Sequence, residues 1–343
     1  MSKKARYLVL LMSVLSPIWG AASADKYSQM NDLPPRLQWD NNSGYCGEVS
    51  LINAGLYYGQ YLSQYDVRAI VCQGAPQDKA ELTIGTNDQY AAQQLHLNAV
   101  EWNTVAEQNT DDFLKWVKQH TLAGHPVAIG IYMNEYRFYG NKNPKAGDPD
   151  YDHIVTVTGI GSNNPLSNPD YFSDDILYFS DHGLWDRTQT PPYHFSYTFD
   201  DFQADRIQAN AHDGAVYSLP NNASNYGVAI TGVMDLNGDT LPVRLDTSIN
   251  YEKPEIQEGS SIRPPSIPVQ LTITVSGLEP GVIYNLYWYD NLASVPNSEF
   301  NKNALDAYRC WQIQIQSGNS YVMTQKIQSD EIAVFRAVQA TAP

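Results

Sequence analysis

The chain has 343 residues, with 37 acidic against 21 basic side chains, a net charge of −16 with histidine neutral, and 24 Tyr and 7 Trp among only 17% charged residues. A surface this acidic is repelled by phosphate backbones and anionic lipid headgroups, which excludes nucleic acid and membrane surfaces as natural partners. The length allows two domains with separate cores.

Residues 1–24 read as an export signal. Lys3, Lys4 and Arg6 open it, residues 7–19 are largely apolar, and Ala22-Ser23-Ala24 supply small side chains for cleavage. The apolar run is too short for a membrane span, and no span is predicted in the mature chain. A secreted or periplasmic location is therefore expected. Disulfides persist in such compartments, and 3 cysteines leave at least one unpaired within a monomer. The economical arrangement joins Cys72 to Cys310 and leaves Cys46 free, although the other pairings stay open.

Residues 25–220 mix helical and strand signals. Val49, Ile52, Leu56 and Gly59 recur at helical spacing and predict a helix starting at or just after Cys46. Ser63-Gln64-Tyr65-Asp66 has the form of a capping box for a short second helix. Residues 88–97 form a third candidate. Thr110-Asp111-Asp112 caps a fourth, with Phe113, Trp116 and Val117 on its inner face and Gly124 as its stop. Strands are then expected at residues 126–133, 152–160, 176–180 and 195–198. Helices followed by a mainly antiparallel sheet predict an α+β fold.

From residue 221 to 343 the helical signal nearly vanishes. Residues 228–234, 241–245, 269–275, 284–289, 311–315, 321–327 and 332–338 are strand candidates, several of them separated by Asn-Gly or Pro-Gly turns. That rhythm predicts an all-β sandwich. Asp235, Asn237 and Asp239 alternate as Ca²⁺ ligands do, but no glutamate closes the loop, so a hairpin turn is expected. No metal or cofactor motif is present, and none is expected.

The chemistry concentrates around Cys46. The thiolate is the attacking species, so a nucleophilic cysteine gains from a helix N-terminus and a nearby imidazole. Gly44 and Gly47 let the backbone pass closely on either side. Gln38, eight residues before Cys46, could offer an amide donor to a developing oxyanion beside the Cys46 N–H. Asn41 and Asn42 are the alternatives. Among the histidines, His153 opens the strand at residues 152–160 and can face a cleft from a rigid position. Asp152 points to the opposite sheet face. Asp181, ending the next strand, is the candidate that orients the ring. His182 is the rival base, with no obvious orienting acid of its own. Trp185, just past Asp181, is a candidate shield for the Asp–His contact.

Gln38, the Gly-Tyr-Cys-Gly-Glu segment around Cys46, the His153 strand and Asp181 together resemble the papain-like cysteine peptidase superfamily. The double-glycine-leader peptidases and phytochelatin synthase are its most similar branches. The resemblance covers roughly residues 37–185. It implies a papain-like catalytic domain in residues 25–220, with Cys46 as nucleophile, His153 as base then acid, Asp181 as orienter and Gln38 in the oxyanion hole. The segment 271–290 resembles a fibronectin type III hairpin, which implies such a sandwich in residues 221–343. The expected function is a secreted thiol hydrolase cleaving a peptide or amide bond in a peptide or protein substrate. Acyl transfer on the same triad, and an inactive binding protein on this scaffold, are the alternatives. The C-terminal part would present the enzyme to a surface polymer or host protein.

Overall fold

The computed structural model describes residues 26–134, 151–183, 194–203, 217–220, 223–248 and 255–341. The segment read as an export signal and Trp185 lie outside them, as does most of the loop after residue 134. Among the described residues no helix is long and apolar enough to cross a membrane.

The helices are α1 (Cys46–Tyr57), α2 (Gln64–Val71), α3 (Asp88–Gln94), α4 (Thr110–Leu122) and the single turn α5 (Phe199–Phe202). Helix α1 begins at Cys46, as the spacing predicts, and buries every residue from Gly47 to Leu56. A helix buried on all sides belongs in the middle of a molecule, and here the polar Glu48, Ser50 and Asn53 are buried with the rest. Helix α2 starts at Ser63, whose hydroxyl accepts the Asp66 N–H at 3.0 Å. The cap of α4 is Asn109 rather than Thr110, its side chain accepting the Asp111 N–H at 2.8 Å.

Among the described residues, ten strands precede residue 242: β1 (Tyr27–Met30), β2 (Gln60–Tyr61), β3 (Leu97–Glu101), β4 (Val127–Met133), β5 (His153–Ser162), β6 (Ile176–Ser180), β7 (His194–Thr198), β8 (Tyr217–Ser218), β9 (Gly227–Val233) and β10 (Thr240–Leu241). Six follow: β11 (Val243–Thr247), β12 (Pro268–Ser276), β13 (Ile283–Tyr289), β14 (Arg309–Gln314), β15 (Ser320–Gln328) and β16 (Ala333–Gln339). All the pairings are antiparallel, and with the helices they make the fold α+β.

The large sheet runs β3-β9-β4-β5-β6-β7, with β1 against the far half of β5 and β8 against β4. Strand β5 is buried along its whole length, between β4 and β6 and under α1. The C-terminal part pairs β10-β16-β13-β14 in one sheet and β11-β12-β15 in another. On β12 the alternate residues Val269, Leu271, Ile273 and Val275 are buried. They share a cluster with Leu286, Trp288, Ile313 and Phe335 of the facing sheet, which is the two-layer packing of a sandwich.

Two expectations are corrected. Strand β9, expected to open the sandwich, lies inside the first sheet, where Val228 pairs with both Glu101 and Ala128. The cores are separate only in part: the cluster of Phe113 and Phe179 lies wholly in the first part and that of Tyr287 and Phe300 wholly in the second, but a third spans both. Val49, Leu56 and Leu62 belong to the same buried cluster as Leu245, Leu271 and Phe335, and β2 adds to the sandwich sheet through Tyr61 opposite Ala333. Helix α1 is thus packed between the large sheet and the sandwich.

The Cys72–Cys310 bridge is not formed. All 3 cysteines are free: Cys72 caps α2, where burial pushes its thiol up to about 11, and Cys310 is exposed on β14. Titration of the unfolded, unreduced protein with a chromogenic disulfide is expected to count 3 thiols. A count of about one would restore the bridge.

Candidate active site

The site lies where the N-terminus of α1 meets the start of β5 and the end of β6. In an antiparallel pair the first residue of one strand stands across from the last of the other. With Thr156 opposite Ser180, the β5–β6 register brings His153 and Asp181 to one sheet edge. Their side chains meet there, His153 Nε2 to Asp181 Oδ1 at 2.8 Å. Asp181 leaves Nδ1 of the ring over, and Cys46 is the ring's other neighbour, acting on it by hydrogen bond and charge. Cys46 and His153 open together into a cleft of about 320 Å³, walled by Ser43, Gly44, Leu82 and Tyr151. A larger cavity of about 560 Å³, lined by Tyr58 and Arg336 among others, lies at the seam with the sandwich and contains none of the triad side chains.

Burial by itself would strip the proton from His153. The Asp181 charge and hydrogen bond, joined by Cys46, overcome that penalty and raise the imidazole well above its ordinary value. Asp181 is buried too, yet it is held down at about 2 by the charge and hydrogen bond of His153 and by the Tyr217 hydroxyl. That hydroxyl, from β8, donates to Asp181 Oδ2, and the Gly183 N–H donates to Oδ1 at 2.7 Å. A side chain at position 183 would stand 2.9 Å from His153 Cε1, so only glycine lets the chain close over this pair.

Asp181→Asn removes the charge that raises His153. Its proton is then lost at lower pH, and the alkaline limb of any activity that needs the imidazolium is expected to move down by about one pH unit or more. A pH–rate profile of the two proteins checks this. An unmoved limb would mean that the raised imidazole is not what sets it.

Gln38 lies against the loop that leads into Cys46. Asn42, Ser43 and Gly44, with φ angles of 54°, 65° and 80°, coil the chain back before Cys46. The Gln38 Nε2 lies 3.0 Å from where a Cβ on Gly44 would stand. The alternatives are committed elsewhere, since Asn41 Nδ2 donates to the Ile256 carbonyl at 2.8 Å and Asn42 Nδ2 to the Ser260 carbonyl at 2.9 Å. Asp152 accepts the Met133 N–H at 2.8 Å, and the carboxylate on the His153 ring is that of Asp181.

His182 does not serve as the base. It is buried, hydrogen-bonded to Gln38 and Ser50, and driven down to about 3 by burial and by the charge of His153. Asp235 spends its carboxylate on the backbone N–H groups of Asn237 and Thr240, as a hairpin turn requires.

Sequence reasoning missed what holds the loop ahead of Cys46. Arg68, fully buried on α2, bonds Glu48 of α1 at 2.7 Å, the carbonyls of Asn42 and Gln77 at 3.0 Å each, and the carbonyl of Gly44. Its guanidinium also covers the Tyr45 ring at 3.5 Å. Residues 255–263, which lead into the sandwich, brace the loop from outside. Glu258 accepts the Asn42 N–H at 2.8 Å, and Arg263 forks onto Asp66. No protein-family model, curated protein or solved structure matches the chain.

Proposed function

We propose that the protein is an exported thiol hydrolase of papain-like character, acting on a peptide or amide bond. The observation that carries this reading is the cleft-lining contact of Cys46 with a His153 ring whose other nitrogen is bound to a buried carboxylate. Structural cysteines have no use for such an arrangement, whereas a nucleophile needs a base held in place by a third group.

The attack begins with transfer of the Cys46 proton to His153 Nδ1, which leaves a thiolate beside an imidazolium. The thiolate adds to the substrate carbonyl, and the oxyanion is met by the Cys46 N–H and the Gln38 amide. An α-helix leaves its first N–H groups without internal acceptors, so the Cys46 N–H is available. His153 then protonates the leaving amine from Nδ1, and a thioester remains on Cys46. Water deprotonated by the same nitrogen adds to that thioester and releases the acid. Throughout, Asp181 keeps the ring in one orientation and Tyr217 keeps Asp181 in place.

Incubation with a proteome-derived peptide mixture, followed by mass spectrometry of new termini, tests the reading. New termini ending in free carboxylates, absent with Cys46→Ala, are expected. Termini coupled to an added amine would instead identify a transferase, and no new termini at all would favour a binding protein.

A further inference from the structure

The thiol-hydrolase reading leaves unexplained why a second histidine is buried against the first. His182 and His153 meet edge to face with ring centroids 5.7 Å apart, and His182 touches neither the thiol nor the carboxylate. Its partners are Gln38 and Ser50. The Gln38 N–H donates to the His182 carbonyl at 2.8 Å, and the side chains meet again, His182 Nδ1 to Gln38 Oε1 at 3.1 Å. On the other side of the ring, Nε2 lies 3.0 Å from Ser50 Oγ, one turn along α1 from Cys46.

A carboxamide has nearly the same shape either way round, but its two ends are chemically opposite. With Nε2 toward the cleft, Gln38 offers a donor to an oxyanion. With Oε1 there, it presents an acceptor that repels one. Nothing in packing alone separates the two poses; the hydrogen on the neighbouring ring does. A proton on His182 Nδ1 can be met only by Oε1, which turns Nε2 toward Gly44 and the cleft. The Ser50 hydroxyl has one proton and two acceptors within reach, the Cys46 carbonyl at 2.9 Å and His182 Nε2. Because Oε1 faces Nδ1 in the structure, the ring hydrogen lies on Nδ1, and Nε2 shares the Ser50 proton with the Cys46 carbonyl. A doubly protonated His182 would set the same pose, but beside the imidazolium of His153 and out of contact with solvent it stays neutral.

We propose that His182 is a positioning residue, whose Nδ1–H locks the Gln38 carboxamide with its N–H facing the oxyanion. The proposal rests on the thiol-hydrolase reading, and its test separates the two.

Two reagents react at Cys46 by different routes. p-Nitrophenyl acetate acylates it through a tetrahedral oxyanion, with p-nitrophenolate leaving and a thioester formed. Iodoacetamide alkylates it by displacement of iodide at a saturated carbon, where no oxyanion develops. The ratio of the two rate constants, read by intact mass in a Cys310→Ser background, isolates the oxyanion hole from the state of the thiol. Alkylation doubles as the check that the Cys46–His153 pair is intact. His182→Leu removes the ring hydrogen. His182→Gln keeps an amide but places it nearer the Nε2 position, and His182→Asn puts an N–H where Nδ1 was.

The ratio is expected to fall about 10²-fold in His182→Leu and His182→Gln, as for loss of one oxyanion donor. It should stay within about threefold of wild type in His182→Asn, and His182→Leu should add nothing further in a Gln38→Ala protein. A ratio unchanged in both loss variants, or lowered equally in His182→Asn, overturns the positioning role while leaving the hydrolase reading intact. Wild-type Cys46 reacting no faster than the unfolded chain with either reagent overturns the hydrolase reading, and the positioning role with it.

Discussion

His153→Ala is expected to reduce kcat/KM about 10³-fold for any peptide that the protein cleaves, with the fold unchanged. The alanine variant has no group to accept the thiol proton or to protonate the leaving amine, and both steps pass through this ring. Asp181 acts only through His153, being bound to its Nε2 at 2.8 Å and out of contact with solvent. The two residues therefore work as a unit, and losses from a unit do not multiply. The double variant His153→Ala/Asp181→Ala should be no slower than His153→Ala alone. A multiplicative loss, measured on the same peptide, would assign Asp181 an independent role and contradict the site as described.

Arg68→Met is expected to cost about 3–5 kcal/mol of stability, the range for removing one partner of a buried ion pair. Glu48 would be left charged and buried, its Oε1 still accepting the Leu82 N–H at 3.0 Å but without its cation. The same substitution frees the Asn42 and Gly44 carbonyls, so the loop ahead of Cys46 loosens as well. These two effects can be told apart. Arg68→Met/Glu48→Leu removes the stranded charge and should regain at least half of the lost stability in urea unfolding, yet Cys46 should remain slow to alkylate. Recovery of reactivity together with stability would show that Arg68 matters only to the fold.

Much of this site is local in sequence, and local features were legible. The apolar spacing after Cys46 marks the start of α1, and alternation and turn residues bound β5 and β6, so His153 and Asp181 fall at strand ends. Hidden were the features that depend on partners far along the chain. A strand's alternation tells which residues face inward but not which sheet it joins, so β9 was expected in the sandwich although it pairs with β3 and β4. The short strand β1 was not foreseen, since four residues of mixed polarity carry little pattern. Arg68 reads as an ordinary helix-surface charge until α1 and α2 are packed and its guanidinium is seen among carbonyls. In sequence His182 stands as the rival base, whereas the structure sends its ring to Gln38 and Ser50. Tyr217 gives no sign in sequence of reaching Asp181, 36 positions away.

The most direct test of the Cys46–His153 pair is the rate of Cys46 alkylation by iodoacetamide at pH 6, read by intact mass in a Cys310→Ser background with and without His153→Ala. Cys72 should stay silent, because its buried thiol is pushed up to about 11. A thiolate held by an imidazolium is expected to alkylate at least about tenfold faster than the same cysteine in the unfolded chain, and that advantage should vanish in His153→Ala. Equal, slow alkylation in both folded proteins would mean that the proton stays on sulfur, and the nucleophile assigned here would be an ordinary thiol.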